Sequence, residues 1–388
     1  MLLDIDAERL SVVGGLAQRM LDRLDWVGRL RLTGDRDYAI DGADFVLIQL
    51  RVGGQATRLV DETLPPRFGV IGQETTGAGG FAKALRTVPV VLELAELTGR
   101  RAAPGAWIVD FTNPVGIVTQ ALLDHGHRAL GLCNVAINIQ RTIAQRLEVE
   151  EHRVELEHVG LNHLSWERAA RVEGVDRLPE LLANDADWLA GHVGMPVELL
   201  RTLGAIPSYY LRYYYETARV VADQRDGHTR AQDVIDIEAR LLDLYRDQGL
   251  AEKPALLADR GGAYYSEAAA QLIASLHDGA GDVQVVDMRN DGALPDLPNA
   301  AVVEIPARID RDGAHAVPLA PLAPEMRGLV QAAKAYEQLT VEAAISGDRR
   351  IALRALIANP LVAQWAIAEP LLKALLEANR GHLPRFFR

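Results

Sequence analysis

Cys133 is the only cysteine in a chain of 388 residues. It closes a short apolar run, Arg128-Ala-Leu-Gly-Leu, that reads as a buried strand. His163 follows a second such run, Val154-Glu-Leu-Glu-His-Val-Gly-Leu. A thiolate at the carboxyl end of a strand faces the crevice where open α/β sheets bind ligands. Soft sulfur with imidazole is half of a metal site, with positions left open for a substrate. The alternative is that Cys133 is a small buried hydrophobe and His163 an ordinary hydrogen-bonded side chain. The segment Ile206–Tyr215 holds five of the ten tyrosines. Such clusters are half-buried packing, or place one phenol beside a cation where it can act as a base.

The elements that must hold these residues follow from hydrophobic patterning. Met1–Asp6 reads as a strand with an acidic tip, followed by a helix from Ala7 to Leu24. Leu30–Thr33 is a short strand, Asp35–Ile40 a helical turn, and Gly42–Gln49 an apolar run of the parallel-sheet type. This alternation predicts an α/β fold: a Rossmann-like doubly wound parallel sheet with a C-terminal α+β, mostly helical part. The expected division is a cofactor-binding domain over 1–160 and a substrate, metal and oligomerisation domain over 161–388.

Asp4 stands where the second strand of such a sheet ends in an acid that grips a ribose hydroxyl of NAD. A Gly-rich phosphate turn normally precedes that acid by about 20 residues. None precedes Asp4, so the sequence predicts an N-terminally truncated form. Its first strand and phosphate turn would be missing, a gap would open in the sheet, and NAD binding would be weak.

Glycines in Arg51-Val-Gly-Gly54 and Gly72–Gly80 permit close backbone approach to a ligand, or are ordinary turns. A helix is predicted over Phe81–Leu97, kinked at Pro89. The strand Ala106–Thr112 ends in Asn113-Pro114, a turn that points an amide into the crevice. Helices are expected over Pro179–Leu189, Glu198–Leu203 and Ala231–Asp247. Val283–Asp287 and Ala301–Ile305 read as strands of a second sheet. The stretch from Ala323 to Leu376 is largely helical, and its apolar positions from Ala332 to Ala344 suggest a homo-oligomer.

Hydrophobic residues make up 49% of the chain, enough for a sizeable core. With 41 basic and 53 acidic residues, the net charge of −12 disfavours nucleic acid or a membrane surface as partner. An anionic small molecule stays open, because a few local arginines bind one phosphate. A single cysteine allows no internal disulfide and fits a cytoplasmic protein.

The motifs in order are Arg51-Val-Gly-Gly54, Gly72-Gln-Glu-Thr-Thr-Gly77, Ala84-Leu-Arg-Thr87, Phe111-Thr-Asn-Pro114, Gly131-Leu-Cys-Asn134, Gly160-Leu-Asn-His163, Tyr210-Leu-Arg-Tyr-Tyr214, Arg260-Gly-Gly262 and Pro295-Asp-Leu-Pro298. Together they resemble glycoside hydrolase family 4, the NAD- and metal-dependent glycosidases, most closely its 6-phospho-β-glucosidase branch. These enzymes depart from two-carboxylate glycosidase chemistry.

The resemblance implies that Cys133 and His163 hold a divalent metal, usually Mn²⁺. It makes Tyr210 the base and Glu74 the residue that raises its basicity. Arg58, Asn113 and Arg230 become contacts to a phosphorylated disaccharide or glucoside. Asn134 occupies the position of an Asp acid in the α-specific members, which favours the β branch. Ala136 and Asp110 depart from common family residues at peripheral positions. The implied chemistry is oxidation at C3 by NAD⁺, loss of the C2 proton, elimination at C1, addition of water and return of the hydride.

Overall fold

The computed structural model describes residues 1–262 and 264–388. The strands are β1 (Leu2–Leu3), β2 (Leu32–Thr33), β3 (Phe45–Ile48), β4 (Trp107–Asp110), β5 (Ala129–Gly131), β6 (Val154–Leu161), β7 (Leu164–Val172), β8 (Val175–Asp176), β9 (Ile206–Pro207), β10 (Val283–Arg289), β11 (Val302–Asp310) and β12 (Gly313–Ala316). The helices of the first half are α1 (Ala7–Arg23), α2 (Arg36–Ile40), α3 (Gly54–Thr63), α4 (Gly77–Arg101), α5 (Val115–Asp124) and α6 (Val135–Leu147). The second half adds α7 (Leu178–Asn184), α8 (Ala186–Val193), α9 (Val197–Leu203), α10 (Arg212–Tyr215), α11 (Thr217–Asp226), α12 (Arg230–Arg246), α13 (Leu256–Arg260), α14 (Tyr265–Asp278), α15 (Pro324–Ser346), α16 (Arg349–Ala358) and α17 (Trp365–Ala378).

The main sheet has the order β12-β11-β10-β5-β4-β3. β3, β4 and β5 run parallel, and β10 joins β5 antiparallel through Asp287 and Gly131. Successive residues of the parallel strands point to opposite faces. Ile108 and Ala129 therefore enter the core shared with α4, α5 and the C-terminal helices, whereas Val109 and Leu130 enter the core shared with Trp166 and α14. Burial on both faces explains why these strands read as unbroken apolar runs.

Several expectations need correction. Val283–Asp287 and Ala301–Ile305 form no second sheet; they are β10 and β11 of the first. The second sheet is the hairpin β6–β7 with β8 and β9. The predicted boundary at residue 160 falls inside β6, and the main sheet takes strands from both sides of it. Pro179–Leu189 is two helices that break at Asp185. α4 starts at Gly77, ahead of the predicted Phe81, and runs through Pro89 without interruption. Its Gly79 has no room for a Cβ, which would lie 2.2 Å from the carbonyl oxygen of Gln73 and 2.5 Å from that of Asp61. Close approach there is to the chain's own backbone. The apolar face of α15 packs on α4, α5 and α16 of the same chain.

β1 pairs only with β2, in a separate parallel ribbon, and β3 is an edge strand. Leu3, Leu32 and Leu47 on these strands are more than a third exposed. α12 and the loop after it hold the ribbon unit by polar ties. Arg19 donates to the carbonyls of Leu250 and Tyr245, both at 2.7 Å, and Arg9 pairs with Glu238 at 2.9 Å. No helix among the described residues is long and apolar enough to cross a membrane.

Candidate active site

Four chain ends converge on one crevice: the ends of β4 and β5, the turn of the β6–β7 hairpin, and the start of α4. Cys133 follows β5 and is buried. Burial pushes its thiol well up, and the nearby Glu304 carboxylate adds to this, against the Val135 N–H and the Asn162 side chain. His163 occupies the two-residue turn between Leu161 and Leu164 with φ of 62°. A non-glycine residue in that left-handed region is sterically costly and is found at functional sites. Burial pushes its imidazole down to about 3, with Lys83 adding to the shift. Its Nδ1 meets Thr75 Oγ1 at 2.9 Å, and Nε2 makes no hydrogen bond among the described residues.

Tyr210 stacks on His163, ring centroids 3.6 Å apart and planes 13° from parallel. Tyr209 stacks on its other side at 4.3 Å. Burial pushes the Tyr210 phenol well above its ordinary value near 10, and Tyr209 and Cys133 push the same way. Tyr210 thus contacts His163 and packs against the core that contains Cys133. A thiol and an imidazole with a free nitrogen, both buried beside one phenol, form a donor set that suits a divalent metal. Among the described residues no third His, Cys, Asp or Glu completes a closed cage. That leaves open positions of the kind catalytic sites keep.

Glu74 lies in a cluster of cations. Its carboxylate takes Lys83 Nζ at 2.7 Å and Arg58 Nε at 3.3 Å, and pairs with Arg51. Burial opposes its charge, but Lys83, Arg51 and Arg58 together hold it well below the usual carboxylate range. Lys83 in turn is pulled by burial down to about 8. Arg58 also donates to Glu62 at 2.7 Å. Three cations thus face two carboxylates, Glu62 and Glu74, which leaves one positive charge for an anion.

Asn113 Oδ1 is buried without a hydrogen-bond partner among the described residues, an acceptor waiting for a ligand. Asn134 is the N-cap of α6, with its carbonyl accepting from Asn138 Nδ2 at 2.6 Å. Arg230 opens α12 and is half-exposed on the rim, donating to the Asp259 carbonyl. Asp4 ends β1 away from this crevice, its carboxylate accepting the Asp6 N–H at 2.9 Å.

The structure stacks Tyr210 on His163 against the core that contains Cys133, and pairs Arg58 with Glu74. Arg230 is drawn toward this cluster, since the N–H of its neighbour Ala231 donates to Glu62 at 2.7 Å. Sequence reasoning missed Lys83 and Thr75. The sequence signal for Lys83 is one lysine in the largely apolar stretch Phe81–Leu92, where a buried charge needs partners. Thr75 lay unnoticed inside the Gly72–Gly77 motif.

A family model described as family 4 glycosyl hydrolase matches residues 1–149, and that of the family 4 C-terminal domain matches 158–362. A Bacillus subtilis (strain 168) protein named "Probable 6-phospho-beta-glucosidase" is 40% identical, across 98% of this chain and 89% of its own length. An Escherichia coli (strain K12) protein named 6-phospho-beta-glucosidase is 33% identical, across 99% and 89%. The solved structure of the Thermotoga maritima 6-phospho-beta glucosidase with manganese, NAD+ and glucose-6-phosphate has a TM-score of 0.90 at 33% identity, covering 98% of this chain and 91% of that one. Sequence models, relatives and architecture agree over nearly the whole length, and the chain belongs to the family 4 glycosyl hydrolases.

Proposed function

We propose that this chain is a 6-phospho-β-glucosidase that uses NAD⁺ and a divalent metal, Mn²⁺ by analogy with the Thermotoga maritima protein. The stacking of Tyr210 on His163, with Cys133 alongside, carries the reading. NAD⁺ and the metal would supply hydride transfer at C3 and a positive charge beside the sugar oxygens.

The chain's own residues divide the remaining work. Cys133 and His163 would hold the metal. Tyr210 takes the C2 proton on its phenolate oxygen. Its burial makes that phenolate costly, so a nearby cation is required for it to act at neutral pH. Arg58, with Lys83 and Arg51, faces the sugar phosphate, and Asn113 Oδ1 accepts from a sugar hydroxyl. Arg230 reaches the phosphate from the rim. Glu74 keeps the three cations in place. Asn134, a neutral amide where α-specific members carry an acid, supports the β-linked substrate. The test is hydrolysis of chromogenic 6-phospho-β- and 6-phospho-α-glucosides and of the plain glucosides, with and without NAD⁺ and Mn²⁺. Activity restricted to an α-linked or unphosphorylated substrate overturns this assignment.

Asp4 fits a ribose hydroxyl of NAD⁺. Calorimetry tests the cofactor: saturable NAD⁺ binding at micromolar concentration supports this reading, and its absence overturns it.

A further inference from the structure

The hydrogen bonds behind His163 fix where its proton lies. Gln73 Oε1 accepts the backbone N–H of Thr75 at 2.5 Å and of Thr76 at 2.7 Å. Two backbone donors converging on one atom identify it as the amide oxygen, since an NH₂ group would repel both. Thr75 Oγ1 lies 2.9 Å from this same oxygen. An amide oxygen has no hydrogen to give, so the bond uses the hydroxyl's single proton. Thr75 Oγ1 also lies 2.9 Å from His163 Nδ1 in a buried contact. With its proton already aimed at Gln73, the hydroxyl can only accept there. Nδ1 then bears the hydrogen, and Nε2 bears the lone pair. The opposite arrangement sets two lone pairs face to face across 2.9 Å.

The frame around this relay leaves little play. A Cβ on Gly80 would lie 2.5 Å from the carbonyl carbon of Thr75, so Thr75 is pressed on the first turn of α4. Tyr210 covers the face of the imidazole ring.

We propose that Gln73 and Thr75 are positioning residues that lock His163 as the Nδ1–H tautomer and so present Nε2 to a divalent cation. This rests on the reading that Cys133 and His163 hold that ion. A ligating histidine is commonly oriented through its other ring nitrogen. Here the acceptor is a hydroxyl whose own proton is committed elsewhere.

The test uses the full, metal-free chain with its ten histidines ¹⁵N-labelled, the His163 signals being assigned by their loss in His163→Gln. The expected spectrum shows a protonated Nδ1 and a bare Nε2. Thr75→Val should shift the ring toward the Nε2–H form and weaken Mn²⁺ binding, titrated by electron paramagnetic resonance, by about 10–100-fold. Thr75→Ser, which keeps the hydroxyl, should restore both. An Nε2–H ring in the unaltered chain overturns the proposal, as does a Thr75→Val chain with unchanged tautomer and Mn²⁺ affinity. Cys133→Ser decides the metal reading separately. Undiminished Mn²⁺ binding there removes that reading, while the tautomer spectrum still stands on its own.

Discussion

Tyr210 is pinned between an imidazole and a second phenol, in surroundings that oppose a negative charge. The side chain is thus well placed and poorly ionised, and the cation of the site has to compensate. Tyr210→Phe removes the proton acceptor but keeps the ring stack. It should slow the chemical step by about 10²–10⁴-fold and abolish exchange of the substrate C2 proton with solvent deuterium. Unchanged exchange would move the role to another tyrosine. Cys133→Ser should remove metal-dependent turnover with little change in the melting temperature. Arg58→Met tests the anion side. Loss of a charged hydrogen bond of about 1.5–3 kcal/mol should raise KM for a phosphorylated glucoside by roughly 10–100-fold, with no matching change for a plain glucoside. An equal rise for both substrates would make Arg58 a scaffold residue.

At the scale of elements, His158 ties three strands together. It lies on β6, meets Glu167 of β7 through Nδ1 at 2.7 Å and Glu304 of β11 through Nε2 at 3.0 Å. Burial opposes its charge, but the two carboxylates win and raise it to about 10. The folded state therefore holds this proton more tightly than the unfolded chain does. Its stabilisation is complete below pH 6.5 and is lost as pH rises toward 10. Thermal unfolding followed from about pH 6 to 10 should show falling stability, and His158→Gln should flatten that slope. The substitution leaves two buried carboxylates without their cation, a loss of about 3–5 kcal/mol at neutral pH. The sequence announced β6 through its apolar run but gave no sign of this tie, because Glu167 and Glu304 reach His158 only after the sheets pack. The strands β4 and β5 were legible for the opposite reason: burial on both faces writes itself as a continuous apolar run. The join of β10 to β5 was not, since pairing across distant segments leaves no local pattern. Gly77–Gly80 looked like a loop, since glycine disfavours helix, yet contact with the Gln73 and Asp61 carbonyls requires it there. Cys133 and His163 were readable as residue types at strand ends, whereas Tyr210 stood out of its cluster only through the family resemblance. The cluster of Lys83 and Arg51 around Glu74 was not, because it depends on how α4 packs against α3.

For the molecule as a whole, β3 is an edge strand of the main sheet, and Leu47 on it is 48% exposed. Such edges favour self-association. Light scattering should rise with protein concentration, and Leu47→Lys, a charge placed on the β3 edge, should reduce the rise. Scattering independent of concentration would show that the edge is covered. The join between β5 and β10 has a different consequence. The strand that ends at Cys133 is flanked by one partner from early in the chain and one from late in it. Neither sequence region that the family models outline can complete that sheet by itself. The two regions are units of alignment but not units that could be exchanged between relatives or produced apart. Synthesis on the ribosome must then run past Arg289 before the strand behind Cys133 gains its second neighbour, so the crevice takes its shape late, after most of the protein has already emerged.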